Sequence, residues 1–256
     1  MKQRATLLAL VVTGSLLFAA GCTGEAEPTR AEKPLQGASA VPSPTPDVRG
    51  ELVAALQRSQ QAAHRFVVRG GLPEGQKISG TGAFDPQKRR FETTVSISGG
   101  KYPSAGSRIV IGTESYGRSS AKGHWVHVDL KRIEPDHPFL RFDWADPTGL
   151  KKFTSSIVSV DRTGPRTYTG RFDPDSKGAT PFLPVGAPTI VSIGTPLSPF
   201  VITTDDQGWI NSIKVDLSPS KGPKLTITTT MSDHGKTLKI NTPAGAVEAA
   251  ESTYRN

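Results

Sequence analysis

Apolar positions along this chain keep two different periods. Val48, Leu52, Ala55, Leu56, Ser59, Ala63 and Phe66 recur at three-to-four spacing and line one stripe of a helix over Val48–Phe66. Asp47 precedes the stripe as an N-cap type residue, and Gly50 falls in the first turn, where it costs least. Beyond the stripe the period drops to two. HRFVVRG, KISGTGAFD, KRRFETTVSIS, SRIVIGTESYGRS and HWVHVDL are short runs rich in Val, Ile, Thr and aromatics, and turn residues end each of them. ADPTGLKKFTSSIVS, Ala145–Ser159, interrupts as a short helix. Strands resume with RTYTGRFD, PFVITTDD, WINSIKVDL, KLTITTTMSD and KTLKINT. Lys177–Pro199 is rich in Pro and Ser and reads as loop, with one short extended piece at TIVSI. The pattern predicts a single α+β domain over residues 47–256. Its curled antiparallel sheet of about ten strands wraps on a leading amphipathic helix and one short inserted helix.

The first residues follow neither period. Lys2 and Arg4 precede Ala5–Ala20, an uncharged run too short for the roughly 20 residues that span a bilayer. Residues 1–21 read as a signal peptide. Ala19-Ala20-Gly21-Cys22 resembles the bacterial lipobox, in which the cysteine is acylated and becomes the new N-terminus; Ala19 stands where Leu is usual. Cys22 is therefore the expected lipid-attachment site, with ordinary secretion or an uncleaved anchor as the alternatives. The expected location is the extracytoplasmic face of the cell membrane. Thr23–Pro46 holds Pro28, Pro34, Pro42, Pro44 and Pro46 with almost nothing apolar to bury, so residues 22–46 read as a lipidated cysteine and disordered tether.

Cys22 is the only cysteine, so no disulfide is open to the chain. Removal of residues 1–21 leaves 29 basic against 23 acidic side chains, a net charge of +6. That bias is mildly attractive at an anionic surface. Without a basic run or a recognition motif it does not point to nucleic acid.

The search for catalytic residues is mostly negative. No Gly-x-Ser-x-Gly elbow, phosphate loop or dinucleotide fingerprint occurs, and no cofactor is expected. Ser119–Lys122 and Ser218–Lys221 match Ser-x-x-Lys inside turn sequences. His124 and His127 would face opposite sides of a strand and cannot share one ion. His64, His137 and His234 have no carboxylate or cysteine at ligand spacing, and the histidines read as polar residues at sheet edges. Asp205-Asp206 precedes Gly208 in a hairpin-turn pattern. The expectation is a protein that is not an enzyme and binds no metal.

What remains is apolar. Phe66 with Val68, Ile78 with Phe84, and Phe91 with Val95 and Ile97 share one face on three successive strands. Ile213, Val215 and Leu217, then Leu225, Ile227 and Met231, repeat the pattern later. Two helices are too few to cover so much inward face, so the sheet either closes on itself or leaves an apolar cavity. Phe66, Phe84, Phe91, Val95, Ile97, Ile213, Val215 and Leu225 are the candidate cavity-lining residues.

The order of motifs carries a resemblance. A lipobox and Pro-rich tether precede an amphipathic helix; SGTGAFDPQKRRFE, IVIGTESYGRSSAKGHWVHVD, DPTGL, VDRTGPRTYTGRFD, FVITTDDQGWINSIKVDL and SDHGKTLKINTPAGAV follow. This series resembles the actinobacterial lipoproteins of the LppX–LprG type, which share the LolA-like fold. The resemblance implies a half-barrel sheet around helices, an apolar cavity that takes acyl chains of lipids or lipoproteins, and no catalysis; the expected partners here are the membrane, through the lipid anchor, and a lipid or glycolipid ligand, with the chain a monomer. Pro181, Pro184, Pro188, Pro196 and Pro199 depart from the family, because they break the second helical segment that forms part of its lid. The competing expectation is a cell-surface interaction or sensory module on the same fold with a filled core.

Overall fold

The computed structural model describes residues 47–101, 103–134, 137, 140–174, 197–218 and 222–255. The signal segment, Cys22, the tether and the TIVSI piece lie outside them.

The leading helix α1 spans Val48–Gln61, and the Asp47 side chain caps it by accepting from the Gly50 N–H at 2.9 Å. Leu52, Leu56 and Ser59 form its buried face. The helix stops short of the expected Phe66: Ala62 is already extended, and β1 begins at His64. Phe66, Val67 and Val68 pair on both sides, with β2 and with β11. Two ladders and β-branched side chains outweigh a helical stripe that has nothing left to bury against.

Among the described residues twelve strands follow where about ten were expected: β1 His64–Gly71, β2 Lys77–Asp85, β3 Arg90–Ser98, β4 Ser104–Ile111, β5 Glu114–Arg118 and β6 Val126–Asp129. After the second helix α2, Leu150–Ser156, come β7 Ile157–Gly164, β8 Thr167–Phe172, β9 Ser198–Thr204, β10 Ile210–Leu217, β11 Leu225–Ser232 and β12 Val247–Glu248. All belong to one sheet in the order β12-β6-β5-β4-β3-β2-β1-β11-β10-β9-β8-β7. Two antiparallel meanders thus meet at the β1–β11 pair, and β12 adds a parallel edge beside β6. SRIVIGTESYGRS proves to be a hairpin that turns at Gly112, where φ is 59°. Of the expected helix Ala145–Ser159 only Leu150–Ser156 is helical: residues 145–149 form the turns before it, and the last three residues open strand β7. KTLKINT is not a strand; Leu238 and Ile240 leave the ladder and bury against Ala83 on the other face.

The inner face carries the core. Phe84 sits opposite Phe91, Ile78 opposite Ile97, and Val215 opposite Ile227, so apolar pairs stack across neighbouring strands. These residues form one cluster with Leu52 and Leu56 of α1 and with Leu150 and Phe153 of α2. Gly82 makes one close approach possible: the Phe66 ring lies where a Cβ at that position would be. Truncating Leu56, which is wholly buried, would cost about 2–5 kcal/mol.

Candidate functional site

A cleft of about 830 Å3 opens between α1 and α2. Its walls come from four places: Val53 and Gln57 on α1, Phe84 at the end of β2, Trp144 and Ala145 before α2, and Thr154 on α2. The aromatic wall is rigidly set. Trp144 stacks on Phe84 with ring centroids 6.4 Å apart, and its indole N–H donates to the Gly112 carbonyl at 3.0 Å. Phe142 packs edge-on to Trp144 at 4.7 Å and reaches Phe91 at 5.2 Å, so the wall continues into the core.

The rim is polar. Arg49 lines the cleft and binds the carbonyls of Ile157 and Val158 at 2.9 and 3.2 Å, which ties α1 to the start of β7. Gln60 donates to the Ala145 carbonyl at 3.0 Å. Lys151 faces the cleft from the first turn of α2, whose N-cap residue Gly149 has no side chain to cap with. Asp146 takes over that task, accepting from the Lys151 and Lys152 N–H groups at 2.9 Å each. Burial nonetheless holds the Asp146 carboxyl above its ordinary pKa, and Asp143 adds to the effect. The apolar side chains of Val53, Phe84 and Trp144 thus stand beside the basic side chains of Arg49 and Lys151.

Of the residues singled out from the sequence, Phe84 lines this cleft. Phe66, Phe91, Ile213, Val215 and Leu225 are at most 5% exposed and lie in the core cluster, against which the half-buried Val95 and Ile97 pack. Cys22 is outside the described residues. Val53, Trp144 and Lys151 went unnoticed. The one signal that could have marked part of the wall is Trp144, in the stretch between Pro138 and Pro147 that no strand pattern claims.

The histidines differ from expectation. His64 is not at a sheet edge but fully buried, with Nδ1 2.9 Å from the Ala62 carbonyl. Burial lowers its pKa from 6.5 to about 4. His234 is sandwiched between His64 and Trp209, and burial again lowers its pKa. His127 sits between two carboxylates, Nε2 at 2.6 Å from Glu114 and Nδ1 at 2.6 Å from Glu248. Partial burial opposes charge on that ring, but the carboxylates prevail and raise its pKa. Among the described residues no group of three or more metal-ligating side chains converges, and no helix is long and apolar enough to cross a membrane. Ser119–Lys122 is a turn closed by the Gly123 N–H on the Ser120 carbonyl at 3.1 Å. Asp205 caps the β9–β10 turn by accepting from Gln207 and Trp209.

Helix, site and sheet together define a mostly β protein: one large open curled sheet with two helices on its inner face and a cleft between them. No family model matches the chain, and no curated protein matches it. Among solved structures, an uncharacterized conserved protein from Thermus thermophilus is similar at 11% identity and a TM-score of 0.39, over 78% of this chain and 98% of that one. A LolA superfamily protein from Nitrosomonas europaea is similar at 7% identity and a TM-score of 0.26, over 73% and 93%.

Proposed function

We propose that this chain is a non-catalytic lipoprotein of the LppX–LprG kind. In this reading it is exported behind residues 1–21 and held at the outer face of the cell membrane by acyl groups on Cys22. Its folded domain takes the acyl part of a lipid or glycolipid into the α1–α2 cleft. The observation that carries the binding reading is the aromatic wall of Phe84 and Trp144 beside the basic rim of Arg49 and Lys151. A chain laid there gains about 0.8 kcal/mol for each CH2 removed from water.

A second reading, an interaction module with a filled core, is favoured by the close burial of Phe66, Phe91, Ile213 and Val215. Titration with a long-chain fatty acid and with a phospholipid separates the two. Binding should alter Trp144 fluorescence, native mass spectrometry should show the adduct, and Val53→Trp should abolish both by filling the cleft. A folded wild-type protein that takes up neither lipid, or a Val53→Trp variant that binds as well, would leave the interaction module standing.

A further inference from the structure

The outer face of the sheet holds a second concavity, of about 470 Å3, that the acyl cleft does not use. A cross-strand row forms its floor. Val67 pairs with Thr81, Thr81 with Thr94, Thr94 with Ser107, and Ser107 with Arg118, so neighbouring strands present side chains in line. These positions alternate with the inward Phe66 and Val68, so they belong to the face opposite the core. The half-buried Trp125 completes the wall.

The groove is polar, and one of its two arginines is ion-paired. Arg65 lies 3.5 Å from Glu92 and 3.6 Å from Asp233. The Arg118 guanidinium sits 4.5 Å from the centre of the Trp125 ring, donates from Nε to the Ser107 hydroxyl at 3.4 Å, and bonds the Ala121 carbonyl at 3.2 Å. The Thr94 and Ser107 hydroxyls are 3.0 Å apart. A phosphate or nucleic acid would need several unpaired cations. Of the groove's two arginines Arg65 is ion-paired; Arg118 alone lacks a carboxylate among the described residues, its guanidinium bonded to neutral groups and stacked on Trp125. An acyl chain would strand the hydroxyls without water. A sugar ring offers the complement: an apolar C–H face for the indole and hydroxyls that both donate and accept toward Thr, Ser, Glu and Arg. The volume lies within the range of small-molecule sites.

The geometry points to a neutral oligosaccharide site in this groove. One sugar ring packs against Trp125 where it lines the groove, and its hydroxyls bond to Thr94, Ser107 and Glu92. The site is independent of the acyl cleft and stands or falls without it. The full chain is titrated with tetramers of N-acetylglucosamine and of glucose at millimolar concentration, while the indole N–H signals of Trp125, Trp144 and Trp209 are followed by NMR. At least one tetramer should move the Trp125 signal saturably and leave the other two in place. Trp125→Ala should weaken binding about tenfold or more. Thr94→Val with Ser107→Ala should do the same and, lying on the surface, decides the matter if the tryptophan variant misfolds. No Trp125 shift with either tetramer, an affinity unchanged in the hydroxyl variant, or a larger shift with inorganic phosphate than with sugar would overturn the assignment.

Discussion

Acid should destabilise this fold through one buried side chain. His64 is fully buried, its Nε2 has no hydrogen-bond partner among the described residues, and the rings of Phe84 and His234 stand 5.9 Å from it on either side. In that setting burial lowers its pKa to about 4, whereas the unfolded chain returns it to about 6.5. Between those values the unfolded state holds the extra proton, so stability is complete above about pH 6.5 and declines as pH falls toward 4. The gap between the two pKa values, at about 1.4 kcal/mol per pH unit, amounts to about 3.5 kcal/mol, of which about 3 is lost by pH 4, where the buried ring is half protonated. His64→Phe keeps an aromatic ring in the site and removes the titration, at a cost of about 1 kcal/mol for the lost bond to Ala62. Urea unfolding of both proteins at steps from pH 7 to pH 4 reads the effect, because the carboxylates and the distant histidines cancel in the difference; His234, in ring contact with His64, leaves a smaller contribution. The wild type should be the more stable at neutral pH, and its advantage should shrink by about 3 kcal/mol and reverse by pH 4. Parallel curves for the two proteins would refute the reasoning.

His127 should behave with the opposite sign: its pKa is raised by Glu248 and Glu114, so its contribution is present below about 6.5 and lost as pH rises through the folded value. Glu248→Gln should therefore lower the melting temperature more at pH 6 than at pH 9, and an equal loss at both would count against an ion pair. Cys22→Ser should move the protein from the membrane fraction to the soluble or secreted one and end labelling by a palmitate analogue; retention in the membrane would mean that the apolar run itself is the anchor.

Much of the sheet was legible because one of its faces is buried. Alternation at Phe66 and Val68, or at Ile213, Val215 and Leu217, follows directly from a pleat with one wet side. The misses share a cause. Nothing separates Ser156 from Ile157 in sequence, yet there a helix becomes an edge strand, whose first carbonyls are bound by Arg49 from more than a hundred residues away. KTLKINT alternates like a strand, but Leu238 and Ile240 find Ala83 rather than a ladder partner. The cleft was hidden for the same reason: Val53, Phe84, Trp144 and Lys151 belong to four separate segments, and none carries a local signal of the others. His127 looked bland because Glu114 and Glu248 lie 13 and 121 residues from it.

The filled interior bears on how an acyl chain would be handled. A chain that leaves a bilayer for protein gains almost nothing hydrophobically, since both surroundings are equally apolar. Holding it permanently would require a deep dry cavity with good packing, and the aromatic layer from Phe66 through Phe91 to Phe142 occupies that space here. A cleft open to solvent, with Phe84 and Trp144 on one wall and Gln57, Gln60 and Thr154 on the other sides, covers only part of a chain. On the proposed reading such a site exchanges lipid quickly rather than storing it, and tethering supplies what the contacts lack. Confinement near the membrane raises the local concentration of lipid, so a weak site stays occupied without deep burial. Release from the tether should therefore cost more occupancy than any single substitution on the rim of the cleft.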